Sequence, residues 1–137
     1  MSDTAPVKIQ HQALLLVARM LMATIFLHEG VAKLGNYPGA AAYARSFGVP
    51  DTLLPLAIAL ELCGGLAIAL GVGARTASLL LAGFCIVTAL AFHAHWAERN
   101  QLLHFEKNLA MAGGLLLLGL CGPGRLTVLL WRRNATQ

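Results

Sequence analysis

The stretch from residue 50 to residue 75 constrains the fold most, because it is a long apolar run with one carboxylate, Glu61, inside it. A helix that crosses a bilayer needs about 20 mostly apolar residues, and residues 52–73 meet that length. An ionised side chain at such a depth is costly unless it is paired or hydrated. Gly64 and Gly65 follow at i+3 and i+4, so another helix can approach the face that carries Glu61. Glu61 is therefore expected in a helical interior, as a structural ion pair or as part of a polar site.

The composition is that of a membrane protein. Hydrophobic residues make up 58% of the 137 residues and charged residues only 12%, whereas a soluble domain normally carries about 25% charged residues. Apolar runs at residues 12–33, 52–73, 76–96 and 102–121 predict four spanning helices. The predicted fold class is all-α, an integral membrane four-helix bundle in the lipid bilayer.

The predicted organisation is a short tail over residues 1–11, a four-helix domain over residues 12–124 and a basic tail over residues 125–137. Residues 40–47 predict a short interfacial helix between the first two spans. An even number of spans places both termini on one side, and basic residues near the span ends favour the cytoplasm for that side. The net charge of +4 forms no basic stripe with interleaved aromatic residues, which argues against a nucleic-acid partner.

The ionisable residues are concentrated in one half of the predicted bundle. At about 1.5 Å per residue, Glu61 lies roughly 12 Å, Lys107 roughly 9 Å and Glu29 roughly 6 Å from the non-cytoplasmic boundary. His93 lies in the same outer layer, and Arg19 is the main charge of the other half. These positions predict a polar layer that lines a cavity open toward the periplasm.

Two ion pairs are predicted within the spans. Glu29 and Lys33 are spaced i,i+4 in the favourable order, which predicts a local pair. Arg19 and Lys107 are the candidate cations for Glu61, because long side chains can bridge the difference in depth. We therefore expect Glu61, Arg19 and Lys107 to face the bundle axis.

Other chemistries find little support in the sequence. His93 and His95 at i,i+2 diverge by about 200° on a helix, so interfacial histidines are favoured over a metal site. The three cysteines lie in apolar runs without a C-x-x-C spacing, which favours free thiols. The chain has no phosphate-binding loop and no nucleophile flanked by a base, which argues against hydrolysis and nucleotide-driven transport.

Several motifs occur in a characteristic order between residues 14 and 124: Arg19, Gly30-x-x-Lys33, Tyr43, Gly48-x-Pro50, Glu61-x-x-Gly64-Gly65, Gly71-x-x-x-Arg75, His93, Lys107-Asn108 and Gly122-Pro123-Gly124. This ordered set resembles the DoxX family. The family pattern often continues into Ser-Leu-Asp, where this chain has Arg125-Leu126-Thr127 and no acid. The resemblance implies a small bacterial inner-membrane protein with four helices. Some relatives are subunits of a thiosulfate:quinone oxidoreductase, and others are linked to thiol or redox-stress handling.

Two function classes follow, and whether the chain itself catalyses a reaction stays open between them. The first is a membrane subunit of a redox system, with a redox partner protein and with a small ligand or quinone as the candidate cofactor. Its binding layer would comprise Glu61, Lys107, His93, Arg19, Glu29, Lys33 and Asn108. In it His93 exchanges protons, Lys107 anchors a ligand oxygen and Glu61 orients Lys107. The second class is an accessory protein whose buried charges only lock the helices. Transport is a less favoured third function, because four spans leave little room for alternating access unless the chain forms a homo-oligomer.

Overall fold

The computed structural model describes residues 4–128 of the chain. This range contains α1 (Thr4–Gly35), α2 (Tyr37–Ser46), a 3-10 turn (Asp51–Leu53), α3 (Leu54–Leu70), α4 (Ala74–Phe92) and α5 (Arg99–Cys121), with no strand. The predicted all-α fold is confirmed. Residues 1–3 of the predicted N-terminal tail and residues 129–137 of the predicted basic tail lie outside the described residues.

The four predicted spans correspond to α1, α3, α4 and α5. Three segments are long and apolar enough to cross a membrane by length and composition: Ile9–Gly35, Asp51–Leu70 and Ala74–Phe92. α5 is as long, but its first half carries Glu106, Lys107 and Asn108, which lower its apolar character. It therefore pairs a polar first half with an apolar second half.

The helix boundaries follow local chemistry. α3 ends at Leu70 because Gly71 adopts a left-handed conformation with φ of 74° and its N–H bonds back to Ile68 O. α4 ends at Phe92, before the predicted end of the third span at residue 96, and His93 caps it. The short helix predicted over residues 40–47 is observed as α2, which begins earlier, at Tyr37, where the Asn36 side chain accepts a hydrogen bond from Gly39 N at 3.2 Å.

The helices pack in an antiparallel series. α1 packs mainly on α3, α3 on α4 and α4 on α5, whereas α1 meets α5 at only a few positions. One end of the bundle holds the C-terminus of α1 and the N-termini of α3 and α5, and we call it the polar end. The other end is called the Arg19 end.

The distribution of side chains is that of a protein in lipid. The buried core contains many small residues, including Ala23, Ala82 and Ala89, which let the helices approach closely. Large apolar side chains point outward instead, with Leu21 exposed by 70% and Leu120 by 73%. An aqueous surface rarely carries so continuous an apolar covering, and a bilayer requires it.

Candidate polar site

Two glycines bring α1 and α3 together at the level of Glu61. A Cβ at Gly30 would lie only 2.7 Å from the Leu62 side chain and 3.4 Å from the Glu61 Cβ. A Cβ at Gly65 would lie 3.0 Å from the Leu27 side chain. Any larger residue at Gly30 would force the helices apart, so glycine here sets the spacing that a short-range contact with Glu61 needs.

Lys33 is the cation that pairs with Glu61. Its Nζ lies 2.9 Å from Glu61 Oε1 and 3.1 Å from Glu29 Oε2, so one ammonium joins two carboxylates. The Glu61 side chain is 5% exposed, that of Lys33 25% and that of Glu29 49%. The three groups therefore form a line from the interior to the surface, which we call the carboxylate cluster. The predicted Glu29–Lys33 pair is confirmed.

The prediction that Arg19 or Lys107 pairs with Glu61 is wrong. Lys33 reaches Glu61 first because Gly30, one turn earlier on α1, lets the backbones approach. The position of Lys33 along α1 places its backbone at the edge of the predicted polar layer. Its long side chain extends back toward the interior, and so its ammonium reaches Glu61.

The second oxygen of Glu61 has no hydrogen-bond partner. Among the described residues, Glu61 Oε2 is a buried acceptor without a donor. A buried polar atom normally has a partner, because leaving it without one costs about 1–3 kcal/mol. This oxygen is therefore able to accept a hydrogen bond from a further group inside the bundle.

Arg19 is buried at the opposite end of the bundle, with only 1% of the residue exposed. Its guanidinium donates hydrogen bonds to Pro123 O at 2.6 Å, Leu126 O at 3.0 Å and Ala69 O at 3.0 Å. Ala69 lies eight residues after Glu61 on α3, or about 12 Å along the axis. Arg19 thus ties the end of α3 to the segment after α5, and it lies outside the carboxylate cluster.

A second cluster lies where α4 and α5 meet, and we call it the histidine cluster. His93 Nδ1 lies 2.7 Å from Gln101 Oε1, and the rings of His93 and His104 stack with centroids 5.1 Å apart. Lys107 Nζ lies 3.3 Å from His104 Nδ1.

Because Lys107 is exposed, the prediction that it faces the bundle axis is wrong. A long cationic side chain gains by directing its head toward water.

Asn108 extends the histidine cluster toward α4. Its Nδ2 donates to His104 O at 3.0 Å, and Thr88 Oγ1 donates to its Oδ1 at 3.5 Å. Sequence reasoning missed Gln101 and did not include His104 in the predicted layer. The short connection between α4 and α5 was the available signal, because an antiparallel hairpin places residue 101 beside residue 93.

The two clusters occupy the same polar end of the bundle, where α1 and α4 end and α3 and α5 begin. Within residues 4–128, no three metal-ligating side chains come together.

Comparison with known proteins decides the family. The sequence model of DoxX matches residues 14–94, which is more than half of the chain. The chain belongs to the DoxX family. The Escherichia coli K12 protein named "Inner membrane protein YqjF" is 46% identical over 113 residues, covering 82% of this chain and 87% of the relative. "Inner membrane protein YphA" of the same organism is 31% identical over 122 residues, covering 84% and 87%. No solved structure matches significantly.

The matched range of the DoxX model runs from the first turns of α1 to just after α4. It includes the three members of the carboxylate cluster together with Arg19 and His93. Lys107, Asn108 and the Gly122-Pro123-Gly124 segment lie beyond it. The DoxX protein described here is an integral inner-membrane protein.

Replacement of Glu61 should destabilise this DoxX protein moderately. Removing one partner of a fully buried pair costs about 3–5 kcal/mol. Lys33 keeps Glu29 and is 25% exposed, so we expect Glu61→Ala to lower the free energy of unfolding by about 1–3 kcal/mol. Glu61→Gln should cost less, because it preserves shape and hydrogen bonding. Denaturant titration in mild detergent measures both.

Asp51→Asn is the matched control, because it breaks the exposed Arg45–Asp51 pair at the polar end. Exposed pairs contribute at most about 1 kcal/mol. If Glu61→Ala cost no more than Asp51→Asn, the Lys33–Glu61 pair would not stabilise the packing of α1 on α3.

Proposed function

We propose that this protein is a membrane subunit or accessory of a sulfur or thiol redox system, in which it binds a small oxygen-bearing ligand such as a quinone. The ligand meets the polar end at the Lys33–Glu61 pair, and the partner protein supplies or removes the electrons. The ligand class is supported by the resemblance to the DoxX family, some members of which are subunits of a thiosulfate:quinone oxidoreductase. The position of the ligand is supported by the contacts of the carboxylate cluster.

The unpartnered Glu61 Oε2 is the observation that carries this proposal. A buried acceptor without a donor reduces stability. A ligand hydroxyl would donate to this oxygen and remove that cost.

Lys33 provides the complementary donor. An ammonium has three N–H donors, and Glu29 and Glu61 accept from two of them. The third donor is available to a carbonyl oxygen of the ligand, and Lys33 is exposed enough to be reached. In this proposal Lys33 takes the anchoring role that the sequence suggested for Lys107.

The histidine cluster forms the second wall of the proposed site. The ring of His93 stacks on that of His104 and so contacts a second imidazole. Lys107 and Asn108 add a cation and an amide to this wall. A partner protein or a second copy of the chain would cover this end from the aqueous side.

The alternative function is a structural accessory role. Lys33–Glu61 joins α1 to α3, and Arg19 joins both helices to the segment after α5. These contacts would lock the bundle without any ligand, and activity would then belong to the partner alone. The two functions differ in whether the purified protein binds a ligand.

We infer that both termini face the cytoplasm, which places the polar end toward the periplasm. The basis is the excess of basic residues near the helix ends that lie at the Arg19 end of the bundle. A reporter that is active only in the cytoplasm, fused to the C-terminus, should be active. Activity confined to a periplasmic reporter at the same position would contradict this orientation.

The ligand proposal predicts that the purified protein binds a benzoquinone and that Lys33→Met weakens binding about tenfold or more, the loss of one charge-assisted hydrogen bond. Equilibrium binding in detergent, measured with equal amounts of folded protein, checks this. Lys107→Met and His93→Gln should weaken binding less, because neither residue contacts the carboxylate cluster.

Glu106→Gln is the control, because Glu106 is exposed on α5 and forms no ion pair in the described part of the chain. Copurifying proteins, identified by mass spectrometry, report the redox partner in the same preparation. Binding that is equal in Lys33→Met and in the control would rule out the Lys33–Glu61 pair as the ligand site. No binding to the unaltered protein would favour the structural function.

A further inference from the structure

Charge is segregated along the axis of the bundle. Every carboxylate among the described side chains lies toward the polar end: Glu29, Asp51, Glu61, Glu98 and Glu106. That half also holds four cations, which nearly balance these acids: Lys33, Arg45, Arg99 and Lys107. The Arg19 end holds Arg19, Arg75 and Arg125, and no acid among the described side chains. The described part of the chain therefore leaves the Arg19 end with an excess of positive charge.

Arg75, in the first turn of α4, is held against the turn that ends α5. Its Nη2 lies 3.5 Å from Cys121 O, to which it donates. A Cβ at Gly122 would lie 2.8 Å from Arg75 Nε, so the absence of a side chain at Gly122 makes room for the guanidinium. Gly122 also has φ of 81°, a left-handed conformation that favours glycine. The guanidinium of Arg75 therefore lies beside residue 122.

Arg125 lies in a segment that is fixed through its backbone. The Arg19 guanidinium donates to Pro123 O and Leu126 O, one on either side of Arg125. The N–H of Arg125 donates to Gln12 Oε1 on α1. These bonds hold the backbone of Arg125 in place, while its side chain is exposed.

The guanidinium groups of Arg75 and Arg125 are close enough to contact one anionic group. Three residues separate Gly122 from Arg125, and a fully extended chain covers at most about 11 Å over that separation. Both arginine side chains are exposed, and neither pairs with a carboxylate within residues 4–128. A guanidinium presents a planar fork of N–H donors that matches the oxygens of a phosphate. We call these two residues the arginine pair.

Apolar side chains adjoin the arginine pair on the outside of the bundle. Leu79 lies one turn after Arg75 on the same face of α4, and Leu126 directly follows Arg125. Both leucines are exposed. A free phosphate ion would gain nothing from these leucines, whereas the acyl chains of a phospholipid would cover them. The surroundings therefore favour a phosphate that carries acyl chains.

We propose that the arginine pair binds the head-group phosphate of an anionic phospholipid, whose acyl chains lie along Leu79 and Leu126. Basic side chains at a membrane surface attract anionic lipids, and here the fold directs two of them to one head group. A zwitterionic head group brings its own ammonium, so it gains less from two unpaired cations. The arginine pair lies at the opposite end of the bundle from the Lys33–Glu61 pair, so this binding is independent of the ligand proposed there.

The test uses the full-length protein in mild detergent with three probes: dioleoylphosphatidylglycerol, dioleoylphosphatidylethanolamine and inorganic phosphate. Binding is measured from the rise in melting temperature as each probe is added. The first lipid should bind more tightly than the second, which has the same acyl chains, and inorganic phosphate should bind more weakly than either lipid. The double variant Arg75→Gln with Arg125→Gln should lose about thirtyfold in affinity for phosphatidylglycerol, and each single variant about fivefold.

Arg99→Gln is the matched control. Arg99 is also an exposed arginine in the first turn of its helix without a carboxylate partner among the described residues, but it lies at the polar end. It should keep the affinity of the unaltered protein for phosphatidylglycerol. If the double variant does not fold, the two single variants replace it in the same comparison.

A loss of phosphatidylglycerol binding in the arginine-pair variants but not in Arg99→Gln would support the lipid site. Equal losses in the variants and the control, or equal affinity for the two lipids, would overturn it. Inorganic phosphate that binds as tightly as phosphatidylglycerol would also overturn it, because the acyl chains would then contribute nothing. Quinone binding, measured in the same variants, should be unchanged, so these outcomes leave the proposed function standing.

Discussion

The burial of one carboxylate in the middle of α3 is the constraint on which this bundle depends. Glu61 can stay in an apolar helix only if a cation reaches it, and Lys33 does so from the neighbouring helix. That contact requires α1 and α3 to approach within the space of a glycine, which Gly30 provides. The pair therefore sets the spacing of two helices, and the spacing in turn fixes where the polar end can form.

The two ends of the bundle use charge in different ways. At the Arg19 end, one guanidinium donates to three backbone carbonyls where helices stop, so its hydrogen bonds stabilise chain ends. At the polar end, Lys33 bonds to two carboxylate side chains, and one Glu61 oxygen has no partner in the described chain. The first arrangement is made with the chain's own backbone carbonyls, although Arg19 Nε has no partner among the described residues. The second leaves a carboxylate oxygen without a donor, and we propose that a ligand donates to it.

The sequence was sufficient for the all-α fold, three of the four spans, a short helix after the first span and the Glu29–Lys33 pair, because apolar length and i,i+4 spacing are local properties. It was insufficient for the partner of Glu61. That partner depends on how closely α1 and α3 approach, which Gly30 determines only once the two helices are known to be neighbours. Lys107 was misplaced for a similar reason, since its side chain was predicted to face the bundle axis and lies instead on an exposed face of α5. Gln101 became visible only through the α4–α5 hairpin.

We propose that the Lys33–Glu61 pair serves ligand binding as well as packing. A double-mutant cycle with Lys33→Met, Glu61→Leu and both together tests it, with unfolding and quinone binding measured on the same preparations. An apolar replacement of a buried pair is often neutral for stability. We expect the double variant to recover the stability of the unaltered protein to within about 1 kcal/mol and still to fail to bind the quinone. A stable double variant that binds as tightly as the unaltered protein would contradict it.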